Sequence, residues 1–447
     1  MMVAARFRVM GLDGRLATYE FLAGPGAAGL PVPMTDADVS IRATIGAVRL
    51  HYDEETEAFR AELRSWLEDN LPSPEERSER SLSSAHMPAW SRRWQRLLFD
   101  NGWLVPGWPP EYGGRNATSV QQMVYFEELA GLGVSRSANP QGLSIITPSI
   151  LDWGTEEQKE RYALPTLKAE LAWCLGMSEP DAGSDLAGLR TRAELHGDRF
   201  VVNGQKVWTS GAHHADLCFC FVRTDPEASK HAGISVLIID MTTPGIETRP
   251  IAELTDQHHT DFNEVFFTDV EVPADRLVGE LHHGWAIAGG SLAHERGMLW
   301  INEASGLERM LTRVVETASV ALPGGRRLAD DPLLRDTLAR AAIGAQALKL
   351  LGYQGFAKVQ RGMKAPEHSV LKLLGSELRR NLALDLAEAL GPHGVDLDRD
   401  DAPAIGRGGD EAWVEHWLQS FAGTIAGGTS EIQRNIIAER VLRLPRS

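Results

Sequence analysis

Cysteine is scarce in this sequence. Cys174, Cys218 and Cys220 are the only three in 447 residues. An odd count without zinc-ligand spacing supports neither a disulfide framework nor a structural metal, and it fits a reducing, cytoplasmic setting. Long apolar runs are missing too. None approaches the roughly eighteen residues of a membrane span, and the longest candidate, Ile234 to Ile239, has the length of a strand. Arg6 and Arg8 near the N-terminus are not followed by the apolar stretch and cleavage site of a secretory signal. Positive charge is in deficit, with 45 Lys and Arg against 61 Asp and Glu and a net charge of −16. Such a field repels phosphate backbones and anionic lipid, so nucleic acid is excluded as the main partner. The histidine pairs His213-His214, His258-His259 and His282-His283 have no flanking carboxylate at ligand spacing, so no metal is expected.

The rest of the composition is that of an ordinary globular protein with room for about three domains. Residues 1–47 read as an N-terminal extension of mixed polarity without helical period. Gly24-Pro-Gly-Ala-Ala-Gly29 matches G-x-G-x-x-G, but Pro31 and Pro33 oppose the helix a nucleotide fold needs there. From Asp53 the spacing of Phe59, Leu63, Trp66 and Leu67 predicts a helix. Others are expected through Trp90–Leu98 and Ser119–Leu129, and after the capping box Thr155-x-x-Gln158. Residues 48–170 are therefore an α-helical domain. The period then changes to strands, at Leu217–Arg223, Gly233–Asp240 and Asn263–Val270. Arg199–Val202 and Gln205–Thr209 are expected as a hairpin around Asn203-Gly204, a pair suited to a type I′ turn. Residues 171–275 form the middle β domain. Beyond Pro273 long helical segments return, at about 283–318, 331–361, 367–390, 410–421 and 430–442, so residues 276–447 form a helical bundle. Helix, sheet, helix in series excludes a doubly wound fold.

Three segments carry a family resemblance: Trp173-Cys-Leu-Gly-Met-Ser-Glu-Pro-Asp-Ala-Gly-Ser-Asp185, Asn203-Gly-Gln-Lys-Val-Trp-Thr-Ser210 and Gly427-Gly-Thr-Ser-Glu-Ile-Gln-Arg434. In this order they resemble the acyl-CoA dehydrogenase flavoenzymes over residues 48–445. The resemblance implies a multidomain α+β fold, with an N-terminal helical domain, a β-barrel-like middle domain and a C-terminal four-helix bundle. It also implies FAD, an acyl-CoA substrate, a role in lipid metabolism and fatty acid β-oxidation, and an electron-transfer flavoprotein as acceptor. Carried over residue by residue, Leu175, Met177, Ser178, Gly183, Ser184, Trp208, Thr209, Ser210, Thr429, Glu431 and Gln433 are the expected cofactor contacts. Ser184, Gly427 and Gly428 are expected at the substrate. The chemistry of these types agrees, because small residues admit a ligand close to backbone and a helix start offers free amides to an anion.

α,β-Dehydrogenation needs a carboxylate to take the α proton. Many members carry it just before the Gly-Thr of the last motif, where this chain has Gly427. Another branch, which includes isovaleryl-CoA dehydrogenase and actinobacterial steroid side-chain dehydrogenases, places it in a Glu-Arg pair on the first C-terminal helix. Glu295-Arg296 matches that branch, so Glu295 is the expected base, at the start of that helix, and Ala293, His294 and Arg296 are expected to line the CoA passage.

Two motifs depart from the family. Gly324-Gly325-Arg326-Arg327 stands where an Arg before Phe-Gly is usual. Glu388-Ala-Leu-Gly391-Pro392 replaces Gln-x-x-Gly-Gly, and a carboxylate there repels a pyrophosphate. These losses resemble heteromeric steroid-degrading relatives, so a homo-oligomer (dimer or tetramer) and a heterotetramer with a paralogue both stay open. Two further readings, a non-catalytic subunit and a flavoprotein of oxidase type on the same fold, also stand at this point.

Overall fold

The computed structural model describes residues 3–10, 16–23, 52–254, 260–296, 299–320, 325, 327–361, 363, 367–390 and 413–445. The side chains of 3–10, 16–23, 291–296, 299, 359–360 and 367–368 lie outside the description, as does the Gly24–Gly29 motif. The chain divides into two units, Met1–Glu54 and Glu55–Ser447.

In the first unit β1 (Val3–Met10) pairs antiparallel with β2 (Leu16–Ala23), with Arg6 opposite Glu20 and Phe7 opposite Tyr19. The sequence reading placed no element in this segment.

The second unit opens with helices α1 (Glu54–Asn70), α2 (Ala89–Asp100), α3 (Ser119–Leu132) and α4 (Thr147–Trp153). Phe59, Leu63 and Leu67 recur every fourth residue and are buried, the stripe expected of a helix packed on one side. Trp66 stacks on Trp94 at 5.8 Å, and Phe59 meets Trp103 edge-on at 5.3 Å. Thr118 and Gln121 close a capping box at the start of α3, and Thr155 with Gln158 closes the one the spacing predicts.

Eight strands follow in one sheet: β3 (Trp173–Gly176), β4 (Arg192–His196), β5 (Arg199–Lys206), β6 (Leu217–Arg223), β7 (Ile234–Asp240), β8 (Ile246–Pro250), β9 (Asn263–Pro273) and β10 (Leu277–Val278). The order is β10-β7-β6-β4-β5-β9-β8, and β3 runs parallel to β6. β6 and β7 are apolar on both faces because both are covered. Phe219, Phe221, Val236 and Ile238 pack toward Ile146, Ile150 and Ile287, while Cys218, Cys220, Val222 and Leu237 pack toward Phe200, Val265 and Phe267.

One local expectation is overturned here. Asn203-Gly204 is not a hairpin turn; β5 runs straight through it, and the register against β9 slips between Val202 and Gly204. The pair forms a bulge, in which the Asn203 amide donates to Asp269 at 3.0 Å and its carbonyl accepts from the Asp269 amide. Gly204 is required by close approach, since a Cβ there would stand 2.5 Å from Thr191 Oγ1. The turn is six residues earlier, at Gly197-Asp198 between β4 and β5, where His196 pairs with Arg199 and Gly197 takes φ +63°.

The chain then returns to helices: α5 (Gly284–Arg296), α6 (Leu299–Ser319), α7 (Pro332–Gln360), α8 (Glu367–Leu390), α9 (Trp413–Ile425) and α10 (Ser430–Ile436), the last running into a π-helical turn at Ile437–Val441. The segment expected at 283–318 is helical over Gly284–Arg296 and Leu299–Ser319. Val314, Leu334, Leu382, Leu386 and Trp413 form the bundle's core. Arg379 on α8 grips Glu303 on α6 with two bonds of 3.1 Å.

Candidate active site

The site begins where β3 ends. Gly176 is obligatory because a Cβ there would lie 2.9 Å from Cys218 Sγ. Leu175 packs against the apolar layer beneath the sheet, and Met177 and Ser178 follow, half-buried. Glu179 and Ala182 then exchange both backbone hydrogen bonds at 3.0 Å, closing a tight turn. Gly183 and Ser184 are exposed beyond it, and a Cβ on Gly183 would meet nothing within 4 Å.

A buried ion pair fixes this loop. Lys206, fully buried, donates from Nζ to Glu179 Oε1 at 2.8 Å and to the Met177 carbonyl at 3.1 Å. Glu179, 7% exposed, also accepts from the amides of Arg190 (2.6 Å) and Thr191 (2.9 Å). Burial pushes the Glu179 carboxyl up, but the Lys206 charge and the hydrogen bonds from Lys206, Arg190 and Thr191 bring it below its usual range. The next amide, Val207, donates to the Ser178 carbonyl at 2.9 Å. Residues 177–184 and 206–210 are thus one assembly.

On the second segment the side chains alternate. Trp208 is 60% exposed at φ +58° and meets Phe262 edge-on at 5.8 Å. Thr209 turns inward and is fully buried, its two backbone groups both bonded to Asn263. Ser210 is half-buried. Of the three, Trp208 and Ser210 are the accessible ones.

The third motif is built on other elements. Gly427 and Gly428 have φ +66° and +99°, a region that other residues rarely adopt. Gln433, buried, donates to the Gly427 carbonyl at 3.1 Å, and Lys372 on α8 donates to that of Gly428 at 2.6 Å. Thr429 caps α10 by accepting from the Ile432 amide. Glu431 is exposed and pairs with Arg434 at 3.5 Å. A cleft of about 310 Å³ between α8, α9 and α10 is lined by Glu377, Arg380, Thr424, Thr429, Ser430 and Arg434.

Ala293, His294, Glu295 and Arg296 lie nine to twelve residues past the first residue of α5, not at the start of the helix as expected from sequence. Their side chains lie outside the described residues.

The donor set fits the edge of a flavin. Among the described residues the amides of Ser178 and Ser184 have no backbone or side-chain partner, while the carbonyls of Met177 and Ser178 are tied inward. The space before Gly183 is open, and the Ser430 hydroxyl is buried without a described partner.

Sequence reasoning missed a cationic cleft of about 440 Å³ beside this loop, lined by Arg190, Arg192, Arg223, Thr224 and Lys230 among others. Lys230 pairs with Asp185, the residue after Ser184. No local signal announces it. The four cations converge only because β4 and β6 are neighbours, with Arg192 opposite Arg223.

Comparison with known proteins follows this geometry. Three family models match: Acyl-CoA dehydrogenase, N-terminal domain, at residues 53–170; middle domain at 174–270; and C-terminal domain at 282–442. The acyl-CoA dehydrogenase IpdE1 of Mycobacterium tuberculosis is 39% identical over 404 residues, covering 88% of this chain and 99% of its own length. The crystal structure of the ChsE4–ChsE5 complex from Mycobacterium tuberculosis is similar at 34% identity and TM-score 0.75, covering 90% of this chain and 100% of that one. The Tcur3481–Tcur3483 steroid acyl-CoA dehydrogenase is similar at 30% identity and TM-score 0.72, again covering 90% and 100%.

Proposed function

The chain belongs to the acyl-CoA dehydrogenase family of FAD-dependent oxidoreductases, and we propose that it carries out α,β-dehydrogenation of an acyl-CoA with Glu295 as the base. Bound FAD would supply the acceptor for the hydride that leaves the β carbon. Residues 177–178 and 183–184 hold one edge of the cofactor through free amides and hydroxyls, and Trp208 and Ser210 cover it. Gly427 cannot take a proton, so the carboxylate comes from α5. Gly428, Thr429, Glu431 and Gln433 belong to the loop and helix that complete the pocket. Arg190, Arg192, Arg223 and Lys230 suit the phosphates of CoA, whose charge they offset where Ser184 leads into their cleft. The observation that carries this reading is the clamped assembly of 177–184 with 206–210, which presents unpaired donors outward.

The experiment is a visible spectrum of the purified chain followed by anaerobic addition of acyl-CoA thioesters. Flavin absorbance that bleaches with a thioester is the expected result. Retained absorbance with no thioester bleaching it sinks the proposal. Return of the reduced flavin's absorbance on adding oxygen, compared with its return on adding an electron-transfer flavoprotein, separates oxidase from dehydrogenase behaviour.

A second reading concerns assembly. Glu388 is exposed on α8 one turn from Asp385, whose carboxyl is pushed up by burial and by Glu388. Glu388 where the family usually has Gln, with a second acid one turn before it, favours a partner chain, a paralogue in a heterotetramer, supplying the adenosine-side contacts. That the similar ChsE4–ChsE5 structure is a complex supports this reading. A fully flavinylated assembly of this chain alone overturns it in favour of a homo-oligomer. We place the protein in the cytoplasm on the support of its three unpaired buried cysteines; no helix among the described residues is long and apolar enough to cross a membrane.

A further inference from the structure

Lys206 and Glu179 are buried, so neither is placed to touch a ligand, yet their side-chain bonds to the backbone end on segments assigned above to the cofactor and to the cationic cleft. Lys206 Nζ holds the Met177 carbonyl, and Glu179 gathers the amides of Arg190 and Thr191, where the cationic cleft begins. The amide of Val207, just past the end of β5, holds the Ser178 carbonyl. A buried pair is a poor source of stability, because desolvation offsets most of its attraction, and an apolar pair of the same shape often serves as well. What an apolar pair cannot do is hold three backbone groups, of Met177, Arg190 and Thr191, at hydrogen-bond distance from one ammonium and the two oxygens of one carboxylate.

We propose that Glu179 and Lys206 are a positioning pair that sets the orientation of the flavin-facing amides at 177–184 relative to Trp208 and Ser210. This rests on the reading that FAD lies along these segments. With the pair intact, the carbonyls of Met177 and Ser178 point into the protein and the Ser178 amide points out. Without Lys206, the Met177 carbonyl loses its donor and the peptide plane is free to rotate. The same pair connects cofactor and substrate sites, because Glu179 spans from Lys206 to the start of the strand that carries Arg192.

The test compares wild type with Lys206→Met and with the double variant Lys206→Met/Glu179→Gln, which leaves no unpaired buried charge. Amide hydrogen exchange is read at 177–184 in the flavin-free protein, FAD affinity by flavin fluorescence, and folding by thermal unfolding. The double variant is expected to recover most of the melting temperature lost by Lys206→Met. It is nevertheless expected to exchange faster at 177–184, with β6 and β7 unchanged, and to bind FAD about tenfold more weakly or worse. A purely structural pair predicts the opposite, with recovered folding bringing back both exchange and affinity, and that result overturns the proposal. Should Lys206→Met fail to fold, Glu179→Gln, which keeps the shape and removes the charge, carries the same measurements. If wild type takes up no FAD, the cofactor assignment fails, whereas the exchange data still decide the positioning role.

Discussion

Gln433 Nε2 lies 3.1 Å from the carbonyl of Gly427 and 3.4 Å from that of Gly428, so a side chain on α10 holds the loop that introduces its own helix. The two glycines leave their carbonyls facing side-chain donors, Gln433 at Gly427 and both Gln433 and Lys372 at Gly428. Replacing Gln433 with Leu removes the donor to the half-buried Gly427 carbonyl while Gly428 keeps Lys372, at a cost of about 1 kcal/mol. Gln433→Glu places an acceptor against the same carbonyls and is expected to cost more. Denaturant unfolding of the two variants checks the order, and a Glu variant as stable as wild type removes the loop-holding role. Gly428→Ala is expected to weaken the same contact, because its Cβ would lie 2.7 Å from Gln433 Nε2.

The base assignment makes a separate prediction. Glu295→Gln keeps the length and polarity of the side chain on α5 and removes its basicity. Flavin content is expected to stay at the wild-type level while turnover falls by about 10² to 10⁴. Exchange of the substrate α proton with deuterated solvent is the cleaner probe, since it reports proton abstraction without hydride transfer. Exchange at the wild-type rate in Glu295→Gln moves the base elsewhere.

Most of the architecture was legible in the sequence because long amphipathic segments with clear stops need no tertiary information. The stripe of Phe59, Leu63 and Leu67 and the capping box at Thr155 are local facts. Asn203-Gly204 misled because the same dipeptide serves a turn and a bulge, and the choice depends on β9, sixty residues away, whose Asp269 claims both polar groups of Asn203. For the site, the motifs located 177–184 and 206–210 separately. The Glu179–Lys206 bond that joins them depends on burial, and charged residues that sequence reading assigns to the surface are here in the core. The cationic cleft was hidden for the same reason, since Arg192 and Arg223 become neighbours through strand pairing alone.

The cysteines offer a simple test of the sheet. Cys174, Cys218 and Cys220 are all fully buried between β3 and β6. A hydrogen bond from Cys218 to Cys174 holds the Cys218 thiol well above its ordinary range, and the Cys220 thiol is raised by its bond to Cys218 and by burial. Thiolate is the reactive form, so the native chain at neutral pH is expected to resist a disulfide-exchange reagent and to release three equivalents once denatured. Rapid labelling of the native protein at Cys218 or Cys220 contradicts this packing.

The histidine at the junction of the loop before α2 and the segment after β5 makes stability depend on pH. The His214 ring lies 4.1 Å from His213 and 5.1 Å from His86 between centroids, and its Nδ1 is 2.9 Å from Ser83 Oγ. Burial, then His213, then His86 lower its pKa from 6.5. A base with a depressed folded pKa binds its proton more readily when unfolded, so its contribution is complete above 6.5 and shrinks as pH falls from there toward the folded value. His214→Gln removes that term. Urea midpoints of wild type are therefore expected to fall more than those of His214→Gln between about pH 7.5 and about pH 5.5, with the two proteins running parallel at higher pH. Equal losses in both would mean that the ring is as easily protonated in the folded chain as in the unfolded one, and would remove His214 as the source of the pH dependence.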